Sequence, residues 1–371
     1  MKASARRISR SDMVACRLAF IDCKMPGSTL KENYSLIGAG VTQSADQVVN
    51  ITEPHGFSLG VAAMPPGVTN NLHIHYTAEV FMVYSGTWLF RWGADGADGE
   101  ITGGPGDVVS IPTWIFRGFS NVGNDHGWIF TALGGDDTGG IIWHPSILAT
   151  DAGHGLFLTR DNMMVDTEAG VARPADDDLM EPLDRDTING LRRFSVADMA
   201  TRTVARGERA WSSHALLDST LPGHAAALAP VIGHGMSQDL SHRPKITNPH
   251  GFSVEWLQIL PGNAVGPFRL AERQVLIVFS GAITVAVDDA APMDVAAQEV
   301  FSVPENAWRT IANTGDTVAE MILVITGDHK KHPVWQEDIM TQAARADVGV
   351  DHAGYVAPLR LLPGPHHRPA A

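Results

Sequence analysis

A chain that carries the same motifs twice at a fixed spacing folds as two similar units, and this chain does so along most of its length. Ile37-Gly38-Ala39-Gly40-Val41-Thr42-Gln43 returns as Ile232-Gly233-His234-Gly235-Met236-Ser237-Gln238. Ile51-Thr52-Glu53-Pro54-His55-Gly56-Phe57-Ser58 returns as Ile246-Thr247-Asn248-Pro249-His250-Gly251-Phe252-Ser253, again 195 positions later. Nearer the start, Arg6-Arg7-Ile8 and Asp12-Met13 pair with Arg192-Arg193-Phe194 and Asp198-Met199. Further on, Pro112, Arg117, Asn121 and Gly123 pair with Pro304, Arg309, Asn313 and Gly315. The expected division is a first domain at 1–165, an exposed acidic linker at 166–190 around Pro174-Ala175-Asp176-Asp177-Asp178, and a second domain at 191–371.

Each half is long enough to bury its own core. Short runs alternate apolar and polar residues and break at turn formers, as in Glu79–Ser85 before Gly86 and Val275–Ser280 before Gly281, which is the pattern of strands in a sandwich or barrel. The 37 Gly and 22 Pro suit such a turn-rich, all-β chain, with a helix expected near the end of each repeat, most clearly over Trp335–Arg345. A net charge of -14 argues against nucleic acid or an anionic membrane surface as partner. No apolar run is long enough to span a membrane, and the N-terminus lacks the apolar stretch of a secretory signal. Cys16 and Cys23 are too few to staple the fold and are expected as free thiols, so the expected location is cytoplasmic. His366 and His367 sit in a Pro-rich tail.

One cluster carries chemistry. His73 and His75 lie two apart, so on a strand both side chains leave the same face, and Glu79 lies close enough to close on them. Two imidazoles and a carboxylate form a facial set that suits Fe(II) and also Mn, Ni or Zn, with positions left open for a small-molecule substrate.

The spacing from Gly67 through His73, His75 and Glu79 to Gly86 resembles the first motif of the cupin superfamily, and Gly106, Pro112 and Asn121 resemble its second. The resemblance implies two tandem cupin barrels (double-stranded β-helix, or jelly-roll) with a few short helices, together a bicupin. It carries over His73, His75 and Glu79 as metal ligands and, since such barrels commonly pair, a homodimer. The second motif departs twice: Trp114 stands where the family has a glycine, and Arg117 where it supplies a third histidine ligand. A guanidinium stays protonated and cannot ligate. Arg117 is therefore either the catalytic residue that pairs with a substrate anion, or a structural residue, because repeat two keeps Arg309 at the matching place.

Repeat two is an internal control. At the 195-residue offset His73 becomes Phe268, His75 becomes Leu270 and Glu79 becomes Gln274, so the second barrel has lost the metal site. Trp88, Phe90 and Trp92 become Ile283, Val285 and Val287, which makes these aromatics, with Ile115 and Phe119 beside Arg117, candidates for a substrate pocket or for core filling. His55 and His144 recur, as His250 and His332, and read as structural. His126 has no histidine counterpart and sits in the turn Asn124-Asp125-His126-Gly127.

One loaded and one empty barrel resembles the plan of the ring-cleaving dioxygenases of the gentisate and quercetin type. That implies an Fe(II)-dependent oxygenase, an oxidoreductase acting on a small aromatic or oxygenated carboxylate. The alternatives are a metal-dependent decarboxylase, lyase or isomerase, and a binding protein without catalysis.

Overall fold

The computed structural model describes residues 6–363, so His366 and His367 lie outside the described residues. The chain divides into two compact units, one running from Asp12 to Gly207 and the other from Glu208 onward together with the N-terminal segment ending at Ser11. Among the described residues no helix is long and apolar enough to cross a membrane, and both cysteines are free.

The first unit pairs a seven-stranded sheet with a five-stranded one. The larger runs Thr203–Val204, Val108–Ile111, Glu79–Ser85, Gly127–Gly134, Phe57–Met64, Glu32–Ile37, Val49–Ile51. The smaller runs Ile141–Trp143, Thr69–His75, Arg117–Asn121, Trp88–Trp92, Gly99–Gly103. Period-two burial turns one face of Trp88–Trp92 inward, where Trp88, Phe90 and Trp92 are buried and the residues between them are half-buried, while Val108–Ile111 is buried on both faces. Consecutive strands change sheets through short turns, which is how a jelly roll closes. Gly67 and Gly86 occupy such turns at φ +78 and +84, a conformation that L side chains rarely adopt.

The second unit repeats the plan. Arg7–Ile8, Val300–Val303, Gln274–Ser280, Ala319–Thr326, Phe252–Ile259 and Ala226–Ile232 form one sheet. Met293–Ala296, Ala282–Val287, Arg309–Ala312, Ala264–Arg269 and Val334–Trp335 form the other. The repeated turn residues make the same bonds in both units. Asn121 Nδ2 donates to Met64 O and Asp125 O, each at 2.8 Å, and Asn313 Nδ2 donates to Ile259 O and Thr317 O at the same distances. His55 and His250 each offer their backbone N–H to an aspartate, Asp136 or Asp328. The expected helices are present at Pro145–Ala152 and Glu337–Arg345.

Two alignments differ from those read in the sequence. Arg7–Ile8 pairs with Val300–Val303, and Thr203–Val204 pairs with Val108–Ile111, so the counterpart of Arg7-Ile8 is Thr203-Val204 rather than Arg193-Phe194. Each unit thus takes its edge strand from the segment that precedes the other repeat. Trp143 pairs with His73 as Trp335 pairs with Phe268, which makes Gln336 the counterpart of His144; both cap a helix N-terminus. Sparse identity around Arg-rich and His-rich stretches had favoured chance matches there.

The chain also divides elsewhere than at an exposed linker over 166–190. Residues around Asp176–Asp178 are exposed, but Ile188, Phe194 and Met199 are buried in the first unit. Ile188 packs with Leu72, Ile74 and Phe116, covering the outer face of the strand whose inner face carries His73 and His75. Arg185 reaches both carboxylate oxygens of Asp95 at 2.7 Å, and the Trp92 indole donates to Phe194 O at 2.7 Å. Ile188→Ala is expected to lower stability by about 2–4 kcal/mol, the range for emptying a core site. Asp177→Ala, in the exposed stretch, should stay within about 0.5 kcal/mol. Urea denaturation of the two variants checks this, and equal effects would make the segment a loose tether.

Candidate metal centre

The strand Thr69–His75 belongs to the smaller sheet and Glu79–Ser85 to the larger, with only Tyr76, Thr77 and Ala78 between them. That short crossing brings the last inward residues of one strand against the first of the next. His73 and His75 point inward from one sheet, Glu79 from the other, and all three are buried. Their nearest ligand atoms lie within 4.8 Å of one another. His73 Nε2 lies 3.1 Å from His75 Nε2, and His75 Nε2 lies 3.5 Å from Glu79 Oε2. Two nitrogens each about 2.1 Å from one ion and at a right angle to each other stand about 3 Å apart, so the imidazole pair has the separation of adjacent ligands.

The donor chemistry also fits a cation. His73 Nδ1 donates to Asn71 O at 2.7 Å, which leaves its Nε2 lone pair facing the cluster. Burial, then the neighbouring His75 and Arg117, hold the His73 pKa well below its usual value. Burial likewise lowers that of His75, with Arg117 acting in the same direction and Glu79 opposing. Both rings are therefore neutral, the form that ligates. Glu79 Oε2 is buried without a hydrogen-bond partner among the described residues, a costly state that a cation would relieve.

Arg117 is paired across the sheet with His73 and is fully buried. Its Nη2 donates to Pro112 O at 3.0 Å, while Nε stands 3.7 Å from Glu79 Oε2, beyond hydrogen-bond reach. Burial lowers its pKa to about 10, with Glu79 opposing, so it remains a cation at neutral pH. Among the described residues Nε and Nη1 have no hydrogen-bond partner. In the second unit Arg309 has the same bond to Pro304 O at 3.0 Å, but its other nitrogens are satisfied by Ala307 O and by Gln274 Oε1 at 3.1 Å. Trp114, in place of the glycine of the second motif, takes φ +61, so the turn keeps its left-handed geometry with a side chain on it.

The other expected residues divide by position. Trp88, Phe90 and Trp92 are buried in one apolar cluster with Phe81, Ile115 and Phe119, and the Trp88 indole donates to Ser85 O at 2.8 Å. Here they act as core, which explains why the second unit can replace the three strand aromatics by aliphatics. Phe119 also lines a cavity of about 20 Å³ beside Lys31 and Asn70, and Ile115 lines a surface cleft of about 200 Å³ with Arg185 and Arg193. His126 is exposed and not part of the cluster.

Sequence reading passed over Lys31, Asn70 and Asp151, three buried polar residues of the first unit. The Lys31 ammonium binds Asp22 and, at 2.8 Å, Asn70 Oδ1. Asp151 is buried with neither carboxylate oxygen hydrogen-bonded. Burial first and the nearby Asp22 second push its pKa up to about 8, against the pull of Lys31. The helix alignment puts Ala343 at its place in the second unit, so comparing buried positions between repeats would have found it.

Two outcomes follow. The chain is expected to bind one divalent ion per copy, and His75→Ala should abolish uptake, as read by metal analysis; two ions, or uptake unchanged by the substitution, would place the site elsewhere. An acid whose folded pKa lies above its unfolded value stabilises most fully below about pH 4, and the contribution is lost as pH rises toward 8. Asp151→Ala should therefore raise the melting temperature at pH 7.5, by roughly 2–4 °C for each kcal/mol gained, and leave it little changed at pH 4.

No curated protein sequence matches the chain. A family profile described as a cupin domain matches residues 256–325, within the second unit. The fold is similar to that of oxalate decarboxylase from Lactobacillus farciminis in complex with formate, at 13% identity and TM-score 0.55 over 90% of this chain and 89% of that one. It is similar as well to oxalate decarboxylase from Bacillus subtilis at pH 4.6, at 14% identity and TM-score 0.54 over 93% and 83%. Vicilin from Corylus avellana (hazelnut) aligns at 10% identity and TM-score 0.51 over 89% and 88%. The cupin profile thus covers part of the second unit, and solved structures aligned along nearly the whole chain share its two-unit β fold.

Proposed function

We propose that the first unit is a divalent-metal enzyme that holds a small carboxylate between the His73–His75–Glu79 cluster and Arg117 and cleaves the carbon–carbon bond beside that carboxylate. One observation carries this reading: Arg117 keeps two buried donors free where its duplicate Arg309 has used all of its own. A buried guanidinium left this way gains from an anion that accepts from both nitrogens. With Glu79 as the one negative group, a divalent ion beside Arg117 leaves the site with a net charge of about +2, which selects against neutral ligands. When bound, the metal polarises a substrate oxygen and offsets the charge that develops as the bond breaks.

The chain's own residues do the rest. Arg117, held at one end by Pro112 O, orients the carboxylate. Glu79 and the two histidines fix the ion's place, and the packed aromatics beneath them exclude water. The aligned decarboxylases agree with a carboxylate substrate. Iron and manganese are the metals proposed, because two imidazoles and one carboxylate accept either.

A second reading, the Fe(II) oxygenase, is favoured by the donor count: three protein ligands on one side leave several coordination positions open, as in the facial-triad oxygenases. Net gas exchange separates the two. With iron or manganese restored and a panel of small dicarboxylates and hydroxy acids, CO2 should form without matching O2 uptake. Arg117→Gln should raise KM for the carboxylate about 10- to 100-fold, the loss of a charged hydrogen-bonded pair, with a smaller change in kcat. O2 consumed one-for-one with product would put the oxygenase first. Tight carboxylate binding with no turnover by the metal-loaded protein would make it a binding protein.

A further inference from the structure

Because the two units share one scaffold, subtracting one from the other separates what the barrel needs from what the metal site needs. Asp22 and Asp218 are both buried and both accept a backbone N–H from the strand that carries, or once carried, the first histidine: Asn71 N at 3.1 Å and Gly266 N at 2.8 Å. That bond survives loss of the ligands and belongs to the barrel. Lys31 and Asn70 do not survive. At the 195-residue offset they become Ala226 and Val265, both in the apolar core of the second unit, as do His73 and His75 in becoming Phe268 and Leu270. A buried lysine and a buried amide are expensive, and the second unit has discarded them together with the ligands.

Their contacts lead to the ligand. The Lys31 ammonium lies between Asp22 and Asn70, over the faces of Phe20 and Trp143 at 5.2 and 5.7 Å. Because Lys31 takes Asn70 Oδ1, the amide's Nδ2 faces the His73 ring, 3.3 Å from Nδ1. That same Nδ1 donates to Asn71 O, so it carries the proton and the amide abuts the ring edge rather than donating to it. Asn71 is gripped in turn by Asp22 through its N–H and, at 3.0 Å, its side-chain amide. Lys31 thus ties together Asp22, which holds Asn71, and Asn70, whose amide abuts the His73 ring. A ring flip would swing Nε2 out of the cluster, and this bracket blocks it.

We propose that Lys31 and Asn70 are positioning residues of the metal centre, a pair that locks the ring of His73 with Nε2 toward the ion. The proposal rests on the metal-site reading above and assigns two residues that no cupin motif contains. Outer partners of ligating histidines typically contribute 10–100-fold to metal affinity.

The test uses the full chain with Co(II) as probe, titrated against a chromophoric chelator, with the visible spectrum of the bound ion recorded. Asn70→Val installs the side chain of the second unit and should leave the metal-free protein folded, as its melting curve will show. Its Co(II) affinity should fall at least 10-fold, with altered visible bands. Lys31→Met should weaken Co(II) similarly, and the double variant should be little worse than either single one, because the two act as a unit. Wild-type affinity and spectrum in folded Asn70→Val would overturn the proposal, as would fully additive losses. Failure of the wild-type chain to bind Co(II) at all would instead overturn the metal-site reading itself, and this pair's role with it.

Discussion

Burying charge inside a β-barrel is the constraint on which the rest of this structure turns. A barrel closes around its own side chains, so any polar group pointing inward loses water and has to find a partner there. The second unit meets this with Phe268, Leu270, Val265 and Ala226, and lets Gln274 accept from the buried cation Arg309. The first unit fills the same positions with His73, His75, Asn70 and Lys31, and sets Glu79 where Gln274 stands. Its interior is left with a carboxylate oxygen and two guanidinium nitrogens that no described residue satisfies. At these matching positions the second unit is apolar or hydrogen-bonded, whereas the first keeps polar atoms that no described residue satisfies.

This difference matters more than the fold for function. A fold shared with both a decarboxylase and a vicilin sets where side chains can converge and leaves open what they do. What narrows the choice is the charge that the first barrel concentrates: neutral imidazoles, one carboxylate, and a guanidinium in place of a third imidazole. A guanidinium cannot ligate a metal, so at that position the first unit places a buried cation beside the cluster.

Much of this was legible in the sequence, for identifiable reasons. His73, His75 and Glu79 were readable because a two-residue strand period and a three-residue crossing leave them one place to go. The turn residues Asn121 and Gly123 were readable because backbone geometry, unlike packing, tolerates few alternatives, and so it persists in both repeats. The role of Trp88, Phe90 and Trp92 was not, since an inward strand position serves a core or a pocket equally well until the neighbouring volume is known. The edge strands Arg7–Ile8 and Thr203–Val204 escaped because two backbone-paired residues leave almost no side-chain signature. The segment around Ile188 escaped for a related reason: its few apolar residues sit among charges, and only the strand beneath them explains their burial.

Lys31, Asn70 and Asp151 were not legible for a different reason. Motifs name the atoms that touch a ligand, whereas the groups that hold those atoms lie wherever the fold happens to bring them, here on the strand edge at residue 31 and on the helix Pro145–Ala152. The duplicate exposes them, because an apolar residue of the second unit stands at each of these three places where the first tolerates a buried polar one. A lysine with no water and an acid whose pKa is pushed up to about 8 are both costs to folding. The second unit bears costs of the same kind at Lys331 and at Glu255, whose pKa burial pushes up to about 8, but it has Ala226, Val265 and Ala343 where the first unit has Lys31, Asn70 and Asp151.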